Sequence, residues 1–164
     1  MKGKAERIRL ITVTNRQRFR PIQCDAVAQA GEVILGQLGL EFQLGVELVG
    51  ARAMTRANLQ FLGHPGSTDI ITFDYGSTPD RLHGDLLISV PDAWSQAAEF
   101  KTSGEAELLR YLIHGILHLQ GFDDQAPPER RRMKLRENQL MRRYADLSVP
   151  FVSKVRRRSV LTRD

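Results

Sequence analysis

The chain has 164 residues, 41% of them hydrophobic and 26% charged, with a net charge of +5, a composition that fits one globular domain able to bury its own core. No apolar run approaches the roughly 20 residues needed to cross a bilayer, and Met1-Lys2-Gly3-Lys4 leads into no signal-peptide core, so a cytoplasmic protein is expected. A single cysteine, Cys24, excludes an internal disulfide framework and a Cys-rich zinc site. The charge is unevenly spread, at +6 over residues 1–20, −9 over 21–126 and +8 over 127–164. An acidic body with basic ends suits a site that holds a cation and arms that hold a polyanion.

In chain order, RIRLITVTNR (7–16) alternates and is rich in β-branched residues, which predicts a first strand. Asp25 is placed to cap a helix running to about Leu38, with Cys24 packing at its start and Gly39 ending it. EFQLGVELVG (41–50) alternates Phe42, Leu44, Val46 and Leu48 and predicts a second strand. Thr55 is read as the cap of a short helix to Leu62, followed by a turn cluster at Gly63-His64-Pro65-Gly66-Ser67. DIITFDY (69–75) and GDLLISV (84–90) predict two more strands, and Pro91 opens a helix. Thr102-Ser103-Gly104-Glu105 has the spacing of a capping box and starts a nearly apolar helix that Gly121 ends. Pro127-Pro128 begin a last, arginine-rich helix with Met133, Leu140, Met141 and Tyr144 on its apolar stripe. This order predicts a single α+β domain over residues 1–152, with a small mixed four-stranded sheet and about five helices. Residues 153–164, SKVRRRSVLTRD, read as a basic, flexible tail.

The apolar helix carries the chemistry. In HGILHLQGFDD, His114 and His118 stand four apart, so they share a helical face and can aim nitrogens at one point. Buried imidazoles need polar partners, since an unmet buried polar group costs about 1–3 kcal/mol. One metal ion satisfies both, and the turn at Gly121 lets Asp124 bring a carboxylate to the same place. Hydrogen-bonded core histidines are the competing reading. Two imidazoles and a carboxylate suit Zn2+ with one position open to water, and other divalent transition metals fit the same ligands. The spacing is shared with zinc proteases of the HExxH type, but Gly115 occupies the position of their glutamate base. Asp69 and Asp85, at strand starts, are weighed as backbone-capping carboxylates that can also serve as a base.

HGILHLQGFDD resembles the HGxLHLxGYDH signature of the YbeY family of bacterial metal-dependent endoribonucleases, which act in ribosomal RNA maturation. Asn58 to Phe73 and Gly84 to Ser89 resemble two further motifs of that family, in the same order. The resemblance implies a metal-dependent, single-strand-specific endoribonuclease in 16S 3′-end processing and ribosome quality control, with His114, His118 and Asp124 as metal ligands acting through a bound water. It implies RNA and the small ribosomal subunit as partners, and neither a membrane nor DNA specificity. Asp124 stands where the family has a third histidine, and Asp123 is left to orient the turn. Leu62 stands where the family has an arginine, so Arg52 and Arg56 are the nearest replacement cations, and Arg130, Arg131 and Arg132 are further candidates for RNA contact. Two other functions compatible with the sequence are a ribosome-assembly RNA-binding protein with a structural metal and a metal-dependent hydrolase of another substrate.

Overall fold

A computed structural model describes residues 6–153. The first strand, β1 (Arg9–Asn15), leads through helix α1 (Cys24–Gln37) into β2 (Glu41–Val49). Next come α2 (Ala51–Ala57), a π turn (Asn58–Leu62), β3 (Ile70–Asp74) and β4 (Arg81–Ser89). Helices α3 (Val90–Phe100), α4 (Gly104–Leu119) and α5 (Pro127–Tyr144) follow, and a 3-10 segment (Ala145–Phe151) closes the described chain. The α+β order agrees with the sequence reading, whose basic tail, beyond Ser153, lies outside the described residues.

The sheet order is β1-β2-β4-β3, with β1, β2 and β4 parallel and β3 antiparallel on the β4 edge. Its alternation is clean: Phe42, Leu44, Val46 and Leu48 of β2 and Leu82, Leu86 and Ile88 of β4 are all buried in one cluster with α1, α4 and α5. The opposite face is covered near β3 by Met54 and Ala57 of α2, which pack on Val49 and Ile71. Helix α4 lies against the sheet with eleven of its sixteen residues buried, so nearly every side of it faces protein. No helix among the described residues is long and apolar enough to cross a membrane.

Three local expectations are corrected. The cap of α4 is Ser103, whose hydroxyl accepts from the Ala106 N–H at 3.1 Å, whereas Thr102 donates to Glu107 at 2.8 Å. A buried acceptor at Glu107 therefore outcompetes the half-buried capping partner at Glu105. Helix α2 begins at Ala51, with Thr55 inside it bonding back to the Ala51 carbonyl at 2.8 Å. Asp25 lies in the first turn of α1, one residue beyond its start, and makes no cap; the flanking residue is Gln23.

Candidate metal centre

Helix α4 ends in a Schellman motif. Gly121 takes φ +97°, the Gly121 N–H donates to the His118 carbonyl at 2.9 Å, and the Phe122 N–H donates to the Leu117 carbonyl at 3.0 Å. A residue with a Cβ adopts that left-handed backbone only under strain. The chain then doubles back, and the Asp123 carboxylate accepts from the N–H groups of Asp124 (2.7 Å) and Gln125 (3.1 Å). Arg130 on α5 closes the turn from the other side, donating to the carbonyls of Asp124 at 2.9 Å and Gln125 at 2.8 Å.

This turn returns the Asp124 side chain to the histidines. His114 Nε2 and His118 Nε2 lie 3.0 Å apart, and Asp124 Oδ2 is 3.5 Å from the first and 3.6 Å from the second. Bonds of about 2.0–2.2 Å to a tetrahedral ion would set ligand atoms about 3.3–3.6 Å from one another. The two edges to Asp124 fall in that range and the 3.0 Å edge between the histidines lies slightly inside it, so a small ring adjustment brings the triangle to the size of a single transition-metal ion.

The ring tautomers strengthen that fit. His114 Nδ1 lies 2.9 Å from Glu137 Oε2, and His118 Nδ1 lies 3.1 Å from the Phe122 carbonyl. Both partners are acceptors, so both Nδ1 atoms carry hydrogen and the neutral rings present bare Nε2 lone pairs to each other and to the Asp124 carboxylate. Three electron-rich atoms that converge in this way accept a cation or a shared proton. The titration directions follow: burial alone pushes His114 down, but the hydrogen bond and charge of Glu137, with Asp69 and Asp124 behind it, hold it above the ordinary histidine value. Burial and the neighbouring His114 push His118 below it.

Glu137 is the member of the centre that the sequence did not reveal. It is 4% exposed, and its second oxygen accepts from Arg110 at 2.8 Å and Lys134 at 3.1 Å. Burial raises its pKa, yet the bonds from His114, Arg110 and Lys134 prevail and hold it at about 2. Arg110 also approaches Glu107 at 3.6 Å and donates to Asn138 at 3.1 Å, so α4 and α5 are joined by a polar seam beside the ligands. The signal was present as an acid at the one gap in the stripe Met133, Leu140, Met141, Tyr144.

His114 and Asp124 open onto a cleft of about 550 Å³ between α3, α4 and α5, lined also by Asp69, Arg110, Arg130 and Lys134 among others. Asp69 is exposed there, with Oδ1 accepting from the Ile70 N–H at 2.8 Å and no hydrogen bond to Oδ2 among the described residues. Asp85 lies on the other sheet face, where Tyr75 donates to it at 2.9 Å. Gly115 is packed so closely that a Cβ would come within 2.7 Å of Ile70 and Leu86, which leaves no room for the glutamate of a zinc protease. Of the basic candidates, Arg130 alone lines the cleft. Arg132 lines a shallow pocket behind the turn, Arg131 is exposed, and Arg52 and Arg56 stand exposed on α2 away from the cleft lining, as does Leu62 on the π turn.

The family model described as "Endoribonuclease YbeY" matches residues 12–145. A Chlorobium phaeovibrioides protein named endoribonuclease YbeY is 43% identical over 57% of this chain, although the match spans only 62% of that protein. One of the same name from Bacteroides fragilis is 36% identical over 84% of this chain and 93% of its own length. The solution structure of a Thermotoga maritima protein superposes with a TM-score of 0.57 at 23% identity, covering 84% of this chain and 93% of that one, which is a likeness of fold.

Proposed function

Because the chain belongs to the YbeY endoribonuclease family, we propose that it is a metal-dependent endoribonuclease that cuts single-stranded RNA during ribosomal RNA processing. The observation that carries this reading is the convergence of two bare imidazole nitrogens, each ring oriented by an acceptor at its Nδ1, and a carboxylate at the mouth of a cleft. In this reading His114, His118 and Asp124 hold the ion, and zinc suits that donor set. When bound, the ion supplies a Lewis acid that polarises a phosphoryl oxygen and makes water more acidic.

The remaining work falls to the chain. Glu137 fixes the His114 ring and raises its basicity, and the Phe122 carbonyl does the same for His118. Asp69 is the exposed carboxylate of the cleft outside the ligand set and is positioned as proton acceptor. Arg130 and Lys134 give the cleft the positive charge that an RNA phosphate needs. The small ribosomal subunit is the expected partner and the cytoplasm the expected compartment. Residues 1–152 are taken as the catalytic domain, with the basic segment from residue 153 adding sequence-independent RNA affinity.

The test is metal analysis of the purified protein together with cleavage of single-stranded RNA by wild type and His114→Ala. Metal and cleavage should both be lost in the variant. A wild type that retains metal yet cuts no RNA would refute the nuclease role and support an assembly factor, which the leucine at position 62 would then explain.

A further inference from the structure

The segment Arg16-Gln-Arg-Phe-Arg20 supplies three of the positive charges of the amino-terminal end, and the metal centre uses none of them. It forms the loop between β1 and α1, held in one conformation by a single buried side chain. Gln17, 8% exposed, donates through Nε2 to Asn15 Oδ1 at 2.8 Å and to the Arg20 carbonyl at 2.6 Å, and its Oε1 accepts from the Arg20 N–H at 3.0 Å. With both backbone groups of Arg20 clamped, the flanking side chains are displayed outward.

They meet an aromatic from α3. Phe19, 49% exposed, packs edge-on against Trp94 with ring centroids 6.4 Å apart and planes at 72°. The Arg20 guanidinium lies over both rings, 5.2 Å from the Phe19 centroid and 5.9 Å from that of Trp94. Arg16 has Glu47 at 3.4 Å, but neither Arg18 nor Arg20 has a carboxylate partner among the described residues. Trp94 in turn lies flat on the start of α4, where a Cβ at Gly104 would come within 2.2 Å of the indole. A stacked guanidinium keeps its N–H edge free for phosphate, and an exposed ring beside it offers a face to an unpaired base. Stacking surfaces interleaved with arginine bind single strands, whereas a duplex keeps its bases stacked on one another.

We propose that Arg18, Phe19, Arg20 and Trp94 form a docking platform for single-stranded RNA, an extension of the substrate path beyond the metal centre; this rests on the endoribonuclease reading above. The two places share one rigid element. Gly104, under Trp94, and His114 are ten residues apart on α4, which is about 15 Å along the axis, or about four stacked nucleotides.

Trp94 is the only tryptophan of the chain, so its emission reports on this platform alone. The experiment follows the fluorescence of the metal-loaded, full-length protein by stopped flow, ahead of turnover, on mixing with an eight-nucleotide oligouridylate or an RNA duplex of equal length. Cleavage is scored in the same samples. The single strand should quench Trp94 saturably and the duplex should not. Phe19→Ala should weaken binding about tenfold, and Arg18→Ala should flatten the dependence of log K on log salt by about 0.7. Both residues are exposed, so unchanged melting curves separate these losses from misfolding. Binding and cleavage with Trp94 emission unmoved, or with both variants matching wild type, would overturn the platform and leave the nuclease reading standing. Quenching and variant effects without cleavage would do the reverse, and no binding at all would overturn both.

Discussion

Replacing Glu137 with glutamine should separate the metal centre from the fold around it. The change keeps the side chain's shape, and its amide oxygen can still accept from His114 Nδ1, now 2.9 Å from Oε2. What is lost is the charge opposite Arg110 and Lys134 and the basicity it lends His114. Carboxylates that orient metal-binding histidines typically contribute 10- to 100-fold in metal affinity, so a loss of about that size is expected in a competition titration against a chelator. Metal-free stability carries a second signature. A carboxyl held at about 2, against 4.5 in an unstructured chain, stabilises the fold above the unfolded value and loses that contribution as pH falls from there toward 2. The shift corresponds to about 3 kcal/mol. Urea unfolding of the metal-free protein between pH 5 and pH 2.5 should therefore show a marked loss of stability, and Glu137→Gln should flatten the slope while lowering stability at pH 7. Breaking a buried pair by removing one partner costs about 3–5 kcal/mol; Glu107 remains 3.6 Å from Arg110, which places the expected loss at the lower end. Equal metal affinity in the two proteins, or an unchanged acid slope, would refute the role assigned to Glu137.

Gly121→Ala forces a Cβ into φ +97°, and should lower stability by about 1–2 kcal/mol and weaken metal binding by displacing Asp124; thermal melts with and without metal measure both. Asp124→His replaces the carboxylate with a neutral ligand, which should retain metal and move the cleavage pH profile to lower pH, since less negative charge on the ion makes its water more acidic. A profile moved upward would contradict this. Removing residues 153–164, which hold five of the chain's Lys/Arg, should weaken RNA binding and flatten its salt dependence, and filter binding at several salt concentrations reads both.

The convergence of His114, His118 and Asp124 was legible in the sequence because its geometry is local: a helical spacing of four, a glycine cap and two aspartates within eleven residues. The element order was legible for the same reason, since hydrophobic period and turn residues act over short windows. What the sequence left hidden depends on contacts between distant segments. Glu137 lies 23 residues beyond His114 and reads as one more charge on an arginine-rich helix until α5 docks on α4. The cap at Ser103 rather than Thr102 was decided by Glu107, whose burial no local rule contains. Arg52 and Arg56 are the cations nearest Leu62 in sequence, yet both lie on the exposed side of α2 and outside the cleft lining.

The compactness of the metal-binding segment also bears on the order in which the protein assembles. The parallel strands β1, β2 and β4 are joined through long connections that contain α1, α2 and β3, and closing such loops is slow. The chelating loop from His114 to Asp124 closes over eleven residues at little entropic cost, and the α4 termination that shapes it needs no strand. If these residues hold the ion, the segment can close on it during refolding of the full chain before the parallel strands have paired, whereas Glu137 reaches His114 only once α5 docks on α4. An ion present during refolding would then act as an early staple on the carboxy-terminal half.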